Sequence, residues 1–311
     1  MQAPCAICTK LFLSIVAPTS GDLCSVQRMH YADLNPETLL QDSGQHQPLI
    51  LRNATAGWQA MSSWDRAIFL RKYGHHDLKL ESQLAGQGQD GYTDYFAGRT
   101  TIKDFMSADT QDAVGLSFRA YRLHRALCKE VSPTPTIFRD LLALPVFSLG
   151  RKSTGVDMHR HERTWLTQIQ GRKQWMLMEP NSSSRLNRHG TFGCELATKV
   201  QQLVESSKSE RVLKLAQVQL CELGPGETLY LPDDWYHATC NLDDFTLGVG
   251  GRGMTSPGHV ACLCCDLAAL QSALEGAEGG GKDALEARDF IQQTPLIVCV
   301  QSACEEGVQL L

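Results

Sequence analysis

The chain has 311 residues, 42% of them hydrophobic, and a formal net charge of −5. That length buries one sizeable core with a small appendage, and the mild acidity argues against a protein built to grip a phosphate backbone. Twelve cysteines are too sparse for a disulfide scaffold, and no run reaches the 18 or so apolar residues of a transmembrane helix.

At the N-terminus, the apolar run 11–17 follows Lys10 and precedes Pro18-Thr19-Ser20-Gly21, so residues 1–24 have the layout of a signal peptide with a thin charged region. Cys5-x-x-Cys8 lacks the βαβ context of a redox motif. Asn53-Ala-Thr and Asn181-Ser-Ser match the glycosylation acceptor pattern, which matters only on the secretory route. Helices are predicted over 34–41 and 64–73, the second with Ser63 as its cap and Gly74 as its stop. Strands are predicted over 47–52 and 77–81, a Gly/Gln loop over 85–91, short helices over 101–106 and 137–143, and a strand over 145–149.

The next stretch holds His159 and His161. In an extended strand, side chains at i and i+2 share a face, so both imidazoles can converge on one point. Runs 164–170 and 174–178 read as a hairpin around a Gly171-Arg172-Lys173 turn. Neutral imidazole suits Zn, Cu, Fe and Ni, although two histidines read equally well as satisfied or exposed side chains. A third histidine, His237, follows a Gly224-Pro225-Gly226 turn with type II chemistry, a strand over 228–231, and Pro232. Its neighbours Trp235 and Tyr236 predict partial burial, which a structural histidine would share. A further strand is predicted over 244–249.

Between these motifs the polar stretch 181–209 has helical periodicity over 195–206, through Leu196, Val200, Leu203 and Val204. It reads as a lid or as a helix packed on the side of the domain. Beyond Arg252, helices are predicted over 260–274 and 284–292, separated by Gly279-Gly280-Gly281, and 296–300 as a strand or buried helical segment. Cys262, Cys264 and Cys265 read as small thiols buried in a helix, since no distant Cys/His pair completes a metal tract.

Met158-His-Arg-His161, GRKQWMLMEP from Gly171, and LGPGETLYLPDDWYHATCNL from Leu223 together resemble the JmjC domain, a branch of the cupin-like iron and 2-oxoglutarate oxygenases. The resemblance implies a mainly β fold. Its core would be a double-stranded β-helix (a jelly-roll, cupin-like barrel) over 25–252, with helices N-terminal and C-terminal to it and an extension over 253–311. It also implies Fe(II) held by His159, His161 and His237, and Lys173 pairing with the distal carboxylate of 2-oxoglutarate. Without the resemblance, Lys173 reads as a solvated turn lysine beside Arg172.

One departure stands out: His161 occupies the position where the family pattern has Asp or Glu. Exchanging an anion for neutral imidazole leaves one more positive charge at a ferrous site; three imidazoles can still hold Fe(II), or shift the preference toward Zn, Cu or Ni. Alternation points Glu162 away, while Asp157 is placed to accept from an imidazole N–H. Two functions follow from the resemblance: an oxygenase that hydroxylates a protein side chain, or a catalytically inactive JmjC-fold binding protein. The expected partner is a protein substrate or binding partner, with homodimerisation through the C-terminal elements and no nucleic acid. The expected location is the secretory pathway or endoplasmic reticulum lumen, with the cytoplasm as the alternative.

Overall fold

The computed structural model describes residues 23–35, 47–82, 96–108, 113–117, 121–135, 137–138, 144–182, 193–205, 218–253, 256–276, 281–289 and 292–311. Thirteen strands run β1 Gln27–His30, β2 Leu49–Arg52, β3 Asp77–Ser82, β4 Phe96–Thr101, β5 Ala113–Ser117, β6 Leu144–Gly150, β7 Gly155–His159, β8 Thr164–Gln170, β9 Lys173–Met178, β10 Val218–Leu223, β11 Glu227–Leu231, β12 Tyr236–Asn241 and β13 Thr246–Arg252. They form a nine-stranded sheet ordered β1-β2-β11-β8-β13-β6-β5-β3-β4 and a four-stranded sheet ordered β10-β9-β12-β7. This is the expected double-stranded β-helix.

Alternation along the strands sorts side chains into three layers. Val146, Leu166, Leu229 and Leu231 from the large sheet meet Trp175 and Leu177 from the small one, forming the barrel interior. Phe147, Leu149, Trp165 and Val249 point the other way, onto Phe69, Tyr73 and Phe105 of the N-terminal helices. Met176, Met178 and Ala238 leave the small sheet outward, toward Leu196, Ala197 and Val200.

The predicted hairpin is corrected. β8 pairs with β11 and β13, whereas β9 pairs with β10 and β12, so Gly171-Arg172 carries the chain from one sheet to the other. The physical reason is burial on both faces: all six residues of β9 and the central five of β8 are buried, and each strand needs neighbours on both edges. Gly171 at φ +67° makes the corner. Gly226 at φ +85° does the same between β10 and β11, after Pro225, as a type II turn requires.

Helices α1 Ala60–Ser63, α2 Arg66–Tyr73, α3 Ile102–Ser107 and α4 Tyr121–Leu127 precede the core. The cap of α2 is Asp65, whose carboxylate accepts from the Ile68 N–H at 2.8 Å; Ser63 instead ends α1. Helix α5, Gly193–Glu205, matches its predicted periodicity and lies flat on the outer face of the small sheet, so it packs as a side helix. After the barrel come α6 Pro257–Cys264, α7 Leu267–Glu275, α8 Gly281–Glu286, α9 Pro295–Gln301 and α10 Glu305–Leu310. The single helix predicted over 260–274 is two, because Cys265 turns left-handed at φ 54° and Asp266 caps the second. Segment 296–300 is helical, with Val298 and Cys299 buried and Val300 exposed, and the helix predicted over 284–292 stops at Glu286. Residues 1–22, 36–41, 85–91 and 139–143, to which a leader, part of a helix, a loop and most of another helix were assigned, lie outside the described residues.

The expectation of buried thiols is also corrected. Ten cysteines pair as Cys24–Cys221, Cys128–Cys264, Cys194–Cys240, Cys262–Cys299 and Cys265–Cys304. Composition missed them because three of the bridges converge on one short helix end, residues 262–265, while partners elsewhere lie as far as 197 residues away. Denatured without reductant, the protein should take up alkylating agent at none of the ten paired cysteines, and at all ten after reduction, by peptide mass. Labelling at any of these positions before reduction would contradict this pairing.

Candidate metal centre

β7 and β12 are antiparallel neighbours, and their register sets His159 opposite His237. His161 lies two residues beyond the last residue of β7, so the pleat argument places only His159. His161 is held by a loop contact instead: its backbone oxygen accepts from Asp234 N–H at 2.9 Å. The three ring centroids stand 5.2, 4.2 and 4.6 Å apart, and one ring nitrogen from each lies within 4.8 Å of the others.

Backbone carbonyls fix which nitrogen that is. His159 Nδ1 meets Asp157 O at 2.6 Å, His161 Nδ1 meets Glu162 O at 2.6 Å, and His237 Nδ1 meets Trp235 O at 2.8 Å. A carbonyl only accepts, so each Nδ1 carries the hydrogen and each Nε2 keeps its lone pair for the shared centre. Burial lowers His161 to about 4 and His237 well below the ordinary imidazole value, so both are neutral at physiological pH. Three imidazole donors fit a divalent transition metal. Among the described residues no carboxylate joins the group.

The two neighbouring acids act differently from expectation. Asp157 holds His159 through its carbonyl; its carboxylate receives a backbone hydrogen bond from Gly193 at the start of α5 and is pushed up to about 6 by burial. Glu162 lies beyond β7, where strand alternation does not apply, and pairs with Arg252 Nε at 3.3 Å. A second cluster, Cys265, Cys304 and Glu306, has its sulfurs committed to a disulfide.

Lys173 is the first residue of β9 and is 2% exposed, which corrects the solvated-turn reading. Arg172 takes the outward position, bonded to Asp243 and Glu222. The Lys173 ammonium donates to Ser148 Oγ at 2.7 Å, and burial pulls it down to about 7. Among the described residues it has no carboxylate partner. On β9 and β12 the cross-strand pairs run His237–Leu177, Thr239–Trp175 and Asn241–Lys173, so the lysine lies about 13 Å of strand from the metal-facing rung.

Two residues of this ladder escaped the sequence reading. Trp175 Nε1 and Asn241 Oδ1 are buried without a hydrogen-bond partner. The Trp175 ring lies 5.9 Å from that of His237. The buried Lys173 ammonium and the orphaned Trp175 Nε1–H on one interior face suit an anionic ligand beside the metal, whereas Asn241 Oδ1, an acceptor, suits a donor on that ligand. Trp175 was accessible by counting two residues from Lys173; Asn241 needed the cross-strand register.

Removing any one of the three histidines should weaken binding of Co(II), used as a spectroscopic substitute, by roughly 100-fold or more, exceeding the effect typical of an outer partner. Lys173→Ala should leave it unchanged. Equal affinity in wild type and all three histidine variants would refute the site.

The Cupin-like domain family matches residues 41–250. JmjC domain-containing protein 8 of mouse is 26% identical over 71% of this chain and 79% of its own length; the human protein is 26% identical over 73% and 83%. The bifunctional arginine demethylase and lysyl-hydroxylase psr-1 of Caenorhabditis elegans is 24% identical over 72% of this chain, which spans 60% of that protein. Among solved structures, the Escherichia coli ribosomal oxygenase YcfD is similar at 16% identity and a TM-score of 0.43, over 73% of this chain and 54% of that one. With the barrel topology and a family match over more than half of its length, the chain belongs to the cupin-like domain family, in its JmjC branch.

Proposed function

We propose that this protein is an Fe(II)- and 2-oxoglutarate-dependent oxygenase acting on a protein side chain. In this reading His159, His161 and His237 hold the metal, and Lys173 holds the distal carboxylate of the cosubstrate. The observation that carries it is the convergence of three Nε2 lone pairs, each aimed by an Nδ1–carbonyl bond, in the same barrel as a buried lysine that has no counter-ion among the described residues. The catalytic unit is taken as 25–252, with 253–311 an extension tied to α4 by Cys128–Cys264. The name of the Caenorhabditis relative records demethylation and hydroxylation of arginine and lysine, which supports a protein substrate.

Iron with its cosubstrate supplies the oxidising chemistry in such sites, and the protein supplies binding, orientation and shelter. Here the carbonyl-anchored rings need no reorganisation to bind, and the neutrality of His161 and His237 means that no proton must leave these two first. Trp175, Leu177, Leu229, Leu231 and Trp235 form an apolar wall that keeps water from the interior. Lys173 donates to one carboxylate end, and Trp175 Nε1 offers a further donor on the same face. An incoming anion restores full charge to the lysine, whose pKa burial now lowers.

A second reading is favoured by His161 in the position of the family acid: a JmjC-fold binding protein that holds metal without turnover. Anaerobic Fe(II) loading followed by 2-oxoglutarate, with succinate measured after admitting air, separates the two. The oxygenase reading expects succinate from wild type and none from His237→Ala. It also expects Lys173→Ala to weaken 2-oxoglutarate binding roughly 10- to 150-fold, the loss of one charge-assisted contact. No succinate from wild type, with turnover gained in His161→Asp, establishes the binding-protein reading.

We also propose passage through the secretory pathway to the endoplasmic reticulum lumen. Five disulfides favour an oxidising compartment, and Asn53 and Asn181 are both exposed. Protein from its native cells should gain mobility after enzymatic deglycosylation, and the gain should shrink in Asn53→Gln and Asn181→Gln. An unchanged mobility together with an intact N-terminus by mass would exclude this route.

A further inference from the structure

His159 and His237 are placed by the sheet, since they are partners in register. His161 is not, because β7 has ended before it. Its position depends on how its loop docks against the loop that leads into β12, and three hydrogen bonds join the two. Asp234 N–H donates to His161 O at 2.9 Å. One residue past Glu162, Arg163 N–H donates to Asp233 Oδ1 at 2.8 Å, and Arg163 Nη2 donates to Asp233 Oδ2 at 2.8 Å. Both oxygens of one carboxylate are therefore spent on the segment carrying His161. The left-handed turn at Asp234, φ 63°, lets consecutive residues of the same loop reach either side of the histidine.

The same loop runs on through Trp235, which is 1% exposed and whose carbonyl fixes the His237 ring. Asp233 thus links the segment that orients one imidazole to the segment that orients another. Its charge matters as well. A site of three neutral ligands leaves the full charge of a divalent ion uncompensated, and no ligating carboxylate is present among the described residues to offset it.

We propose that Asp233 is the positioning residue of this metal centre. It clamps the His161 loop to the His237 loop and brings, at one remove, the negative charge that no ligating atom carries. This rests on the three-histidine metal site proposed above. The pattern also gives His161 a reason to tolerate its place outside the sheet: a salt bridge does for it what the ladder does for the other two.

The test is Co(II) titration of the full-length, disulfide-intact protein, reading both affinity and the visible d–d spectrum, in wild type, Asp233→Asn, Asp233→Glu and His237→Ala. Asp233→Asn keeps the shape of the side chain and loses the charge, so folding is preserved and is checked by metal-free melting. It should weaken Co(II) binding roughly 10- to 100-fold and alter the band shape as His161 leaves the ion. Asp233→Glu should recover part of both. If wild type binds, His237→Ala does not, and Asp233→Asn matches wild type in affinity and spectrum, the Asp233 proposal alone is overturned. A loss of affinity with the wild-type band shape also overturns the positioning role, because all three ligands would still be in place. No binding by wild type removes the metal site and Asp233 with it.

Discussion

Three backbone carbonyls that can accept but never donate a hydrogen bond govern this site. Each holds one imidazole by Nδ1, at 2.6 to 2.8 Å, and so sets both the tilt of the ring and the tautomer. Without these bonds three histidines whose ring nitrogens lie within 4.8 Å of one another would be a packing problem with several rotamer and protonation solutions. With them the protein has one solution, in which the lone pairs converge. The Asp157 carbonyl belongs to β7, while those of Glu162 and Trp235 belong to the loops after β7 and before β12. The β7–β12 register gives the His159–His237 pair, and β9 on the far edge of β12 backs it with Leu177 and Trp175.

The two halves of the interior face have opposite electrostatic needs. Near the histidines, burial keeps the rings neutral and ready to donate to a cation. Four residues along β9, burial of Lys173 works against its charge, and one hydroxyl offers the only relief among the described residues. A buried ammonium is retained against that cost only where something compensates it. In the function proposed above, a bridging anion would meet both needs at once.

Much of this was legible along the chain. Strands 164–170, 174–178 and 228–231 were found to within a residue, because apolar runs bounded by Gly171, Pro225-Gly226 and Pro232 leave little freedom. The three histidines and Lys173 came from motif spacing and the resemblance it carried. What failed was everything that depends on partners. The hairpin between β8 and β9 was wrong since local sequence does not say which edge a strand offers. The disulfides were missed since connectivity cannot be deduced from cysteine positions. Ser63 and Asp65 are both good cap residues, and the choice between them belongs to the burial of Trp64 that separates them. Asn241 enters the site only through cross-strand pairing, and the Asp233–Arg163 contact spans 70 residues.

The bridge between Cys24 and Cys221 spans 197 residues, enclosing β1 to β9 and two of the three histidines. In the chain-entropy picture a loop of that size is worth about 5 kcal/mol, close to the whole net stability of many domains. The same polypeptide is therefore two different thermodynamic objects on the two sides of a redox boundary. Made in a reducing cytosol, it would have every strand of the barrel encoded and yet lack a constraint comparable to its margin for staying folded. Thiol chemistry around the chain, as much as the sequence of the chain, then decides whether the histidines ever meet.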